Sequence, residues 1–196
     1  MPFSHDTSAP ARLATEEFLL RPITAADAAL DYAAVMESRA VLRLWQQSSW
    51  PADDFTVDDN RTDLEQMERR HSAGEAFGYT VLSPNESECL GCVYVFAHDA
   101  RFLAASDVAA VTDASWDRID AAVYFWVRTS RVATGLDRSL LARLRRWFAD
   151  DWGFDDTVFV TSNLFTQQVQ LIESTDLELR FEIVEPDKPG RYLAYG

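Results

Sequence analysis

The sequence predicts an α/β (α+β) protein built on a mixed central sheet of about seven strands with about four flanking helices. Two observations support this prediction. β-rich runs alternate with apolar stripes at helical spacing, and the run 121–127 is apolar throughout, as in a strand buried on both faces. With 196 residues, of which 47% are hydrophobic, the chain can bury one sizeable core. We therefore expect a flexible leader at 1–16 and a single domain at 17–196.

A strand and two helices are predicted to come first. The run 18–21 reads as a strand, and Thr24 with Asp27 then gives the Ser/Thr-x-x-acid pattern that starts helices. Thr56 with Asp59 repeats this pattern. Each helix should turn one apolar stripe towards the sheet. The two stripes are Ala26, Leu30, Ala33, Met36 and Ala40, and Val57, Leu64, Met67 and His71.

The middle of the chain predicts a hairpin followed by an irregular segment. The β-rich runs 77–82 and 90–96 flank a stretch whose Pro84 and Asn85 suit a turn, which predicts an antiparallel hairpin. The segment 97–120 has no clear period, so it is either a long loop or an insertion over a ligand cleft.

Strands and helices alternate in the second half. The central strand 121–127 precedes a helix with an apolar stripe made of Leu136, Leu140, Leu141, Leu144, Trp147 and Phe148. Further strands are expected at 156–161, 177–185 and 191–195, with a helix at 167–175. The central strand and the stripe helix form a βα unit, which predicts a parallel strand pair at the middle of the sheet.

The two cysteines of the chain, Cys89 and Cys92, lie in the second strand of the hairpin. Residues three apart on a regular strand point to opposite faces of the sheet. This spacing predicts that both side chains pack in the core, and we expect no metal site.

Charge and hydropathy exclude several classes of partner. The net charge of −14 disfavours binding to nucleic acid or to anionic membranes. No apolar run approaches the roughly 20 residues that span a bilayer, and the N-terminal stretch lacks the apolar core of a secretory signal. We expect a cytoplasmic protein.

The order of these elements, the run Phe18-Leu-Leu-Arg-Pro22 and the strand-loop-helix at 121–148 resemble the GNAT superfamily of N-acetyltransferases over residues 17–195. The resemblance implies the GNAT-type acyl-CoA acyltransferase fold and acetyl-CoA as cofactor. It also implies direct transfer of the acetyl group to a small-molecule or peptide amine. In that family the loop Arg/Gln-x-x-Gly-x-Gly/Ala holds the cofactor pyrophosphate on backbone amides.

The corresponding loop here is Arg131-Val-Ala-Thr-Gly135-Leu-Asp137, which keeps the first glycine and has Asp137 in place of the second. A carboxylate at this position repels a pyrophosphate and competes for the same amides. The surrounding arginines, Arg128, Arg131, Arg138, Arg143, Arg145 and Arg146, suit either an anionic cofactor or a solvated helix. The resemblance implies that the cofactor-binding residues are Trp126, Val127, Arg131, Gly135, Leu136, Asp137, Arg138 and Ser139.

The resemblance also bears on the catalytic groups. Many members of the family carry a tyrosine that protonates the departing thiolate, but Ile172 occupies that position here. Asp120 is the candidate general base and Tyr124 a substitute acid. Trp45, Trp50 and Phe55 are the candidate walls of the acceptor pocket.

Two alternatives remain open at the level of sequence. Asp137 and Ile172 favour a catalytically lapsed GNAT-like module that binds a ligand or a protein. The aromatic loop 45–55 would suit the interface of a homodimer.

Overall fold

The computed structural model describes residue 3 and residues 9–196, and its centre is one mixed sheet. The strands are β1 (Leu13–Ala14), β2 (Leu19–Pro22), β3 (Phe77–Leu82), β4 (Cys89–Phe96), β5 (Asp107–Ala110), β6 (Ala121–Val127), β7 (Thr157–Ser162), β8 (Leu179–Val184) and β9 (Tyr192–Tyr195). In the sheet the described strands follow the order β1-β2-β3-β4-β6-β7-β9-β8-β5, and β6 and β7 are the pair that runs parallel. The helices are α1 (Ala28–Glu37), α2 (Arg39–Gln46), α3 (Val57–Ser72), α4 (Arg101–Ala104), α5 (Thr129–Val132), α6 (Leu136–Asp150) and α7 (Thr166–Glu173).

The predicted α/β class and the parallel pair at the middle of the sheet are confirmed. The described sheet has nine strands rather than about seven, because two short edge strands, β1 and β5, were not expected. Within the predicted leader 1–16, Leu13 and Ala14 pair with β2, so this part of the leader belongs to the sheet. Residues 1, 2 and 4–8 of the leader lie outside the described part of the chain.

The segment 97–120, expected to be either a long loop or an insertion, is not a loop throughout. It contains the short helix α4, a 3-10 turn at Trp116–Arg118 and the strand β5, which pairs antiparallel with β8. A strand of four mostly exposed residues carries almost no hydrophobic alternation, so its only signal is the edge to which it binds.

Helices pack on both faces of the sheet and enclose two cores. The buried residues of α1, α2 and α3 pack on one face, and the stripe of α6 packs on the other, as predicted. The predicted stripe of the first helix is wrong in three of its five residues: Ala26, Ala33 and Ala40 are exposed, whereas Leu30 and Met36 pack against the core. The buried face carries Ala28, Asp31, Ala34 and Val35 instead, because this helix places a carboxylate inside the core.

The helical stretch predicted over 26–40 is divided at Ser38. The backbone of Ser38 has φ −95° and ψ 7°, which is outside the helical conformation, and α2 then begins at Arg39. The buried Ser38 hydroxyl accepts a hydrogen bond of 3.0 Å from the amide of Thr129 at the start of α5. The break therefore fixes α1 and α2 against the loop that follows β6. Among the helices described, none is long and apolar enough to cross a membrane.

A bulge in β4 overturns the expectation that the two cysteines point to opposite faces of the sheet, whereas both are buried in the core as predicted. Val81 pairs with Gly91 and Leu82 pairs with Cys89, so Leu90 is the extra residue on β4. The added residue reverses the alternation at this point, and both thiols reach the same carboxylate oxygen, Oδ1 of Asp31, at 3.6 Å from Cys89 and 3.2 Å from Cys92. The cysteines therefore share one face of the sheet.

Gly91 makes the bulge possible, and we predict that Gly91→Ala destabilises the protein strongly. Its φ of +150° disfavours a side chain, and a Cβ there would lie 2.1 Å from the carbonyl oxygen of Trp126. We expect the free energy of unfolding to fall by about 3 kcal/mol or more. Gly153→Ala is the control, because Gly153 has φ +67° with nothing within 4 Å of a Cβ, and its loss should be about 1 kcal/mol. Urea unfolding measures both, and equal losses would contradict the steric argument.

Candidate functional site

The central feature of the site is a gap between β6 and β7. The two strands pair over only four residues, Ala121–Tyr124 with Thr157–Val160, although β6 continues to Val127. Beyond Tyr124, the edge of β6 that faces β7 is bonded to a side chain instead of a strand. Gln168, on α7, donates from Nε2 to the carbonyl oxygen of Phe125 at 2.9 Å and accepts at Oε1 from the hydroxyl of Thr161 at 2.6 Å. One amide group thus bridges the two diverging strands.

Main-chain groups of β6 line this gap. The amide of Arg128 donates to Leu90 on the β4 side at 2.8 Å. Backbone groups of successive residues in a strand point to opposite edges, so the amide of Val127 faces the gap, as the carbonyl of Phe125 does. Trp126 is almost fully buried on the face that carries Cys92, its partner in the β4–β6 register. Of the two residues predicted here, Val127 therefore borders the gap through its backbone.

The loop after β6 leads to the start of α6. Gly135 is the N-cap residue with φ +80°, and a Cβ there would meet nothing within 4 Å, so the surface beside it is open. The first-turn amides of Leu136 and Asp137 have no acceptor within the helix, as at any helix start. The predicted loop glycine and helix start are therefore placed side by side. Ser139 donates its amide to the carbonyl of Gly135 inside this first turn.

Asp137 is buried and turned towards the helix start. Its Oδ1 accepts from the amide of Arg138 at 2.8 Å, and its Oδ2 accepts from Nε2 of Gln167 at 2.6 Å. The carboxylate therefore occupies one first-turn amide and ties α6 to the start of α7. This is the arrangement expected from an aspartate at the second glycine position.

Among the described residues, three of the six arginines around the loop are already paired with carboxylates, Arg145 with Asp176 at 2.6 Å and the two others within the loop itself. Arg128 binds Glu37 at 2.6 Å and Glu88 at 3.1 Å, and Arg131 also pairs with Glu88. The hydrogen bond from Arg128 holds the pKa of Glu37 at about 2, well below its ordinary value. Arg138 is exposed, and in the described part of the chain it forms no salt bridge. Of the two arginines predicted to bind the cofactor, Arg131 is paired with Glu88, and Arg138 is the one that is free to bind an anion.

A cavity of about 410 Å³ opens on the face of the sheet covered by α1, α2 and α3. Its walls include seven aromatic side chains, and the predicted wall residues Trp45 and Trp50 are among them. Phe55, the third predicted wall residue, does not line the cavity; its ring packs against that of Trp50 with the centroids 5.7 Å apart. The remaining aromatic residues of the wall are Tyr94, Phe96, Phe102, Tyr124 and Tyr192.

Tyr124 lies in the cavity wall and Asp120 does not. The Tyr124 side chain is 6% exposed, and its buried hydroxyl has no hydrogen-bond partner among the described residues. Burial, with the charge of Glu185 next in importance, raises the pKa of this hydroxyl well above its ordinary value. Asp120 instead accepts hydrogen bonds of 2.8 Å from the amides of Asp155 and Asp156, which lie in the turn before β7. This aspartate caps a turn, so its assignment as general base is not supported by its position.

Sequence reasoning missed the ionisable groups that the cavity brings together. Glu185, Lys188 and Asp63 all line it, but they come from the β8–β9 turn and from α3. Burial raises the pKa of Glu185, and the charge of Lys188 partly opposes this shift. Burial likewise raises the pKa of Asp63, which accepts a hydrogen bond from Nε1 of Trp50 at 3.1 Å. No local motif marks these residues, because only the folded sheet makes them neighbours.

We predict that the Gln168 bridge stabilises the gap. Gln168→Leu would leave the Phe125 carbonyl and the Thr161 hydroxyl without partners in a buried place, and each such group costs about 1–3 kcal/mol. We expect the free energy of unfolding to fall by about 2–4 kcal/mol. Gln170→Leu, on the exposed side of α7, should change it by less than about 0.5 kcal/mol. Urea unfolding of both variants checks this, and a neutral Gln168→Leu would show that the gap closes without the bridge.

Comparison of the whole chain with known proteins identifies its fold. No family model matches the chain, and no curated protein matches it in sequence. Among solved structures, the ribosomal-protein-S5-alanine acetyltransferase of Vibrio fischeri superposes with a TM-score of 0.67 at 14% identity, covering 95% of each chain. The microcin C7 self-immunity acetyltransferase, in complex with acetyl-CoA and AMP, superposes with a TM-score of 0.68 at 12% identity, covering 96% of this chain and 97% of the other. The chain therefore has the fold of the GNAT superfamily of N-acetyltransferases, as its sequence resemblance predicted.

Proposed function

We propose that the protein is an acyl-CoA-dependent N-acyltransferase that transfers an acetyl group to an amine. One observation carries this proposal: β6 and β7 diverge beside an aromatic cavity that contains carboxylates and a buried hydroxyl with no hydrogen-bond partner in the described part of the chain. The gap offers backbone groups to an extended thioester arm, and the cavity offers an enclosed place for an acceptor. Solved structures with this fold include one bound to acetyl-CoA, which supports the same cofactor here.

The residues of the chain fit part of such a cofactor well. The backbone of Val127 would hold the arm, and the amides of Leu136 and Asp137, with Arg138 and the open surface at Gly135, would face the phosphates. The buried Asp137 carboxylate opposes the phosphates by charge. Arg131, already paired with Glu88, adds little free charge. Bound acetyl-CoA would supply an acetyl thioester as the acyl donor.

The acceptor is proposed to be an amine that carries an apolar group. Aromatic faces attract a cationic ammonium, and Glu185 and Asp63 add negative charge in the same cavity. A cavity of about 410 Å³ suits a small molecule or the end of a peptide. Two structures with this fold are ribosomal-protein acetyltransferases by name, which keeps a peptide amine among the acceptors to test.

Two cavity residues would handle the protons of the reaction. Glu185 is proposed as the general base that takes a proton from the ammonium, because its raised pKa brings it closer to working pH. The Tyr124 hydroxyl stays protonated over the whole working range, so it is the hydrogen-bond donor offered to the departing sulfur. The amide of Val127 would polarise the carbonyl that the amine attacks.

A second candidate function rests on Asp137. Because its carboxylate already accepts the amide of Arg138, the helix start is partly satisfied without a ligand. This favours a lapsed module that has kept the fold and binds a ligand or protein in the cavity. Binding of acetyl-CoA distinguishes the two candidates.

We predict that the unmodified protein binds acetyl-CoA and that Asp137→Asn binds it about five- to tenfold more tightly. Removing one negative charge at a helix start is worth about 1 kcal/mol for an anion there. Asp150→Asn makes the same charge change at the exposed far end of α6 and should leave the affinity unchanged. Isothermal titration calorimetry gives the three dissociation constants. If neither the unmodified protein nor Asp137→Asn binds, the acyltransferase proposal is wrong. Binding by Asp137→Asn alone would favour the lapsed module.

We also predict a pH dependence set by Glu185. A base with a raised pKa is lost by protonation at a higher pH than an ordinary glutamate, so kcat/KM should fall as pH decreases through that raised value. Glu185→Gln should lower kcat/KM about a hundredfold and remove this acid limb. Release of free coenzyme A thiol with a panel of primary amines measures the profile.

The matched control for this test is Glu182→Gln. Glu182 lies on β8 and pairs with Arg191 at 2.6 Å, outside the cavity lining. This variant should keep both the rate and the acid limb. An acid limb that persists in Glu185→Gln would assign the base to another group, with Asp63 the next to test.

A further inference from the structure

A buried cluster of two thiols and a carboxylate lies between α1 and β4. The side chains of Asp31, Cys89 and Cys92 are buried, and their ligand atoms all lie within 4.8 Å of one another. Both sulfurs approach the same oxygen of Asp31, at 3.6 Å and 3.2 Å. Neither the proposed transfer reaction nor the proposed cofactor uses this cluster.

The chain builds this cluster through an unusual piece of backbone. Without the bulge at Leu90 and Gly91, Cys89 would point to the other face of the sheet. The bulge requires a glycine in close contact with the carbonyl of Trp126. Apolar packing alone would need neither the bulge nor a carboxylate 3% exposed in the core.

The groups around the cluster suit a bound cation with thiolate ligands. Asn60 donates to the second oxygen of Asp31 at 3.0 Å and to the carbonyl of Ala28 at 3.1 Å, which orients the carboxylate and leaves Oδ1 towards the sulfurs. Trp126 stands opposite Cys92 in the β4–β6 register, and its buried Nε1 has no hydrogen-bond partner among the described residues.

We propose that Asp31, Cys89 and Cys92 bind a thiophilic divalent cation, Zn²⁺ in the first place. Zinc takes thiolate sulfur at about 2.3 Å and carboxylate oxygen at about 2.0 Å, so two such ligands on a tetrahedral ion stand about 3.5 Å apart. The two sulfur–oxygen distances, 3.2 Å and 3.6 Å, lie on either side of this value. On binding, each thiol gives up its proton and forms a sulfur–zinc bond.

The position of Asp31 gives this ion access to a fourth ligand. Asp31 also lines the aromatic cavity, so water or a group of a molecule bound there could complete the coordination. Three protein ligands and an open position are the pattern of a site that contacts a ligand, whereas a purely structural zinc is closed by four protein ligands.

The competing explanation is a set of hydrogen bonds in which Cys92 donates to Asp31, and Cys89 donates to Asp31 or to the carbonyl of Gly91 at 3.5 Å. The two explanations differ in what the purified protein contains. The unmodified protein, prepared without chelator, should carry close to one equivalent of zinc by elemental analysis. Cobalt(II) added to the reduced, metal-free protein should give thiolate-to-cobalt charge-transfer absorption and the intense visible bands of a four-coordinate ion.

Two variants test the ligands. Cys92→Ser and Asp31→Asn should each lower the zinc affinity at least about a hundredfold. Asp63→Asn removes a carboxylate from the same cavity but outside the cluster, and its zinc content should stay at that of the unmodified protein. Circular dichroism reports whether each variant is folded.

The cobalt titration of the unmodified protein keeps the test independent of variants that fail to fold. Absence of zinc, together with absence of charge-transfer absorption on adding cobalt, would overturn the proposal in favour of the hydrogen-bonded cluster. Zinc that remains at one equivalent in a folded Cys92→Ser variant would overturn it as well. Failure to bind acetyl-CoA bears on neither result, so this site stands or falls separately from the transfer reaction.

Discussion

The parallel pairing of β6 with β7 is the constraint on which the site depends. It ends after four residues, and a strand that loses its neighbour leaves buried backbone groups that need partners. The side chain of Gln168 supplies one partner to each strand and thereby holds the gap at a fixed width. Every group proposed to meet a thioester, from the amide of Val127 to the start of α6, takes its position from this divergence.

The positive charge of the arginines near the gap is partly neutralised by carboxylates that are distant in the sequence. The arginines that follow β6 form an ion-pair network with Glu37 and Glu88, which come from α1 and from the turn before β4. This network joins three elements that are distant in sequence and positions the loop leading to α6. It also neutralises Arg128 and Arg131, and Asp137 adds negative charge at the helix start. Phosphate binding would therefore rest on backbone amides and Arg138 more than on the clustered arginines.

The aromatic cavity and the cysteine cluster meet at one residue, Asp31. Helix α1 turns this carboxylate into the core, where Asn60 holds one oxygen and the two thiols approach the other. Burial raises the pKa of Asp31, and the hydrogen bonds from Asn60 and the cysteines partly offset this shift. A core that carries this group gives up apolar packing, and the bulge at Gly91 places Cys89 beside the carboxylate. The face of the sheet with the cavity is thus specialised in a way that the α6 face is not.

Sequence by itself determined the fold class, the central strand and the stripe of α6, because long apolar patterns reflect burial directly. It also indicated the family resemblance and the consequence of Asp137, since a carboxylate near a helix start accepts amides in any context. Tertiary structure alone decided the rest. The buried face of α1 depends on the carboxylate of Asp31 inside the core, and the side on which Cys89 lies depends on the bulge. The position of Asp120 depends on the turn before β7. No local pattern encodes these three features. Glu185 and Asp63 joined the site because the sheet brings α3 and the β8–β9 turn together, and that proximity is a property of packing between distant segments.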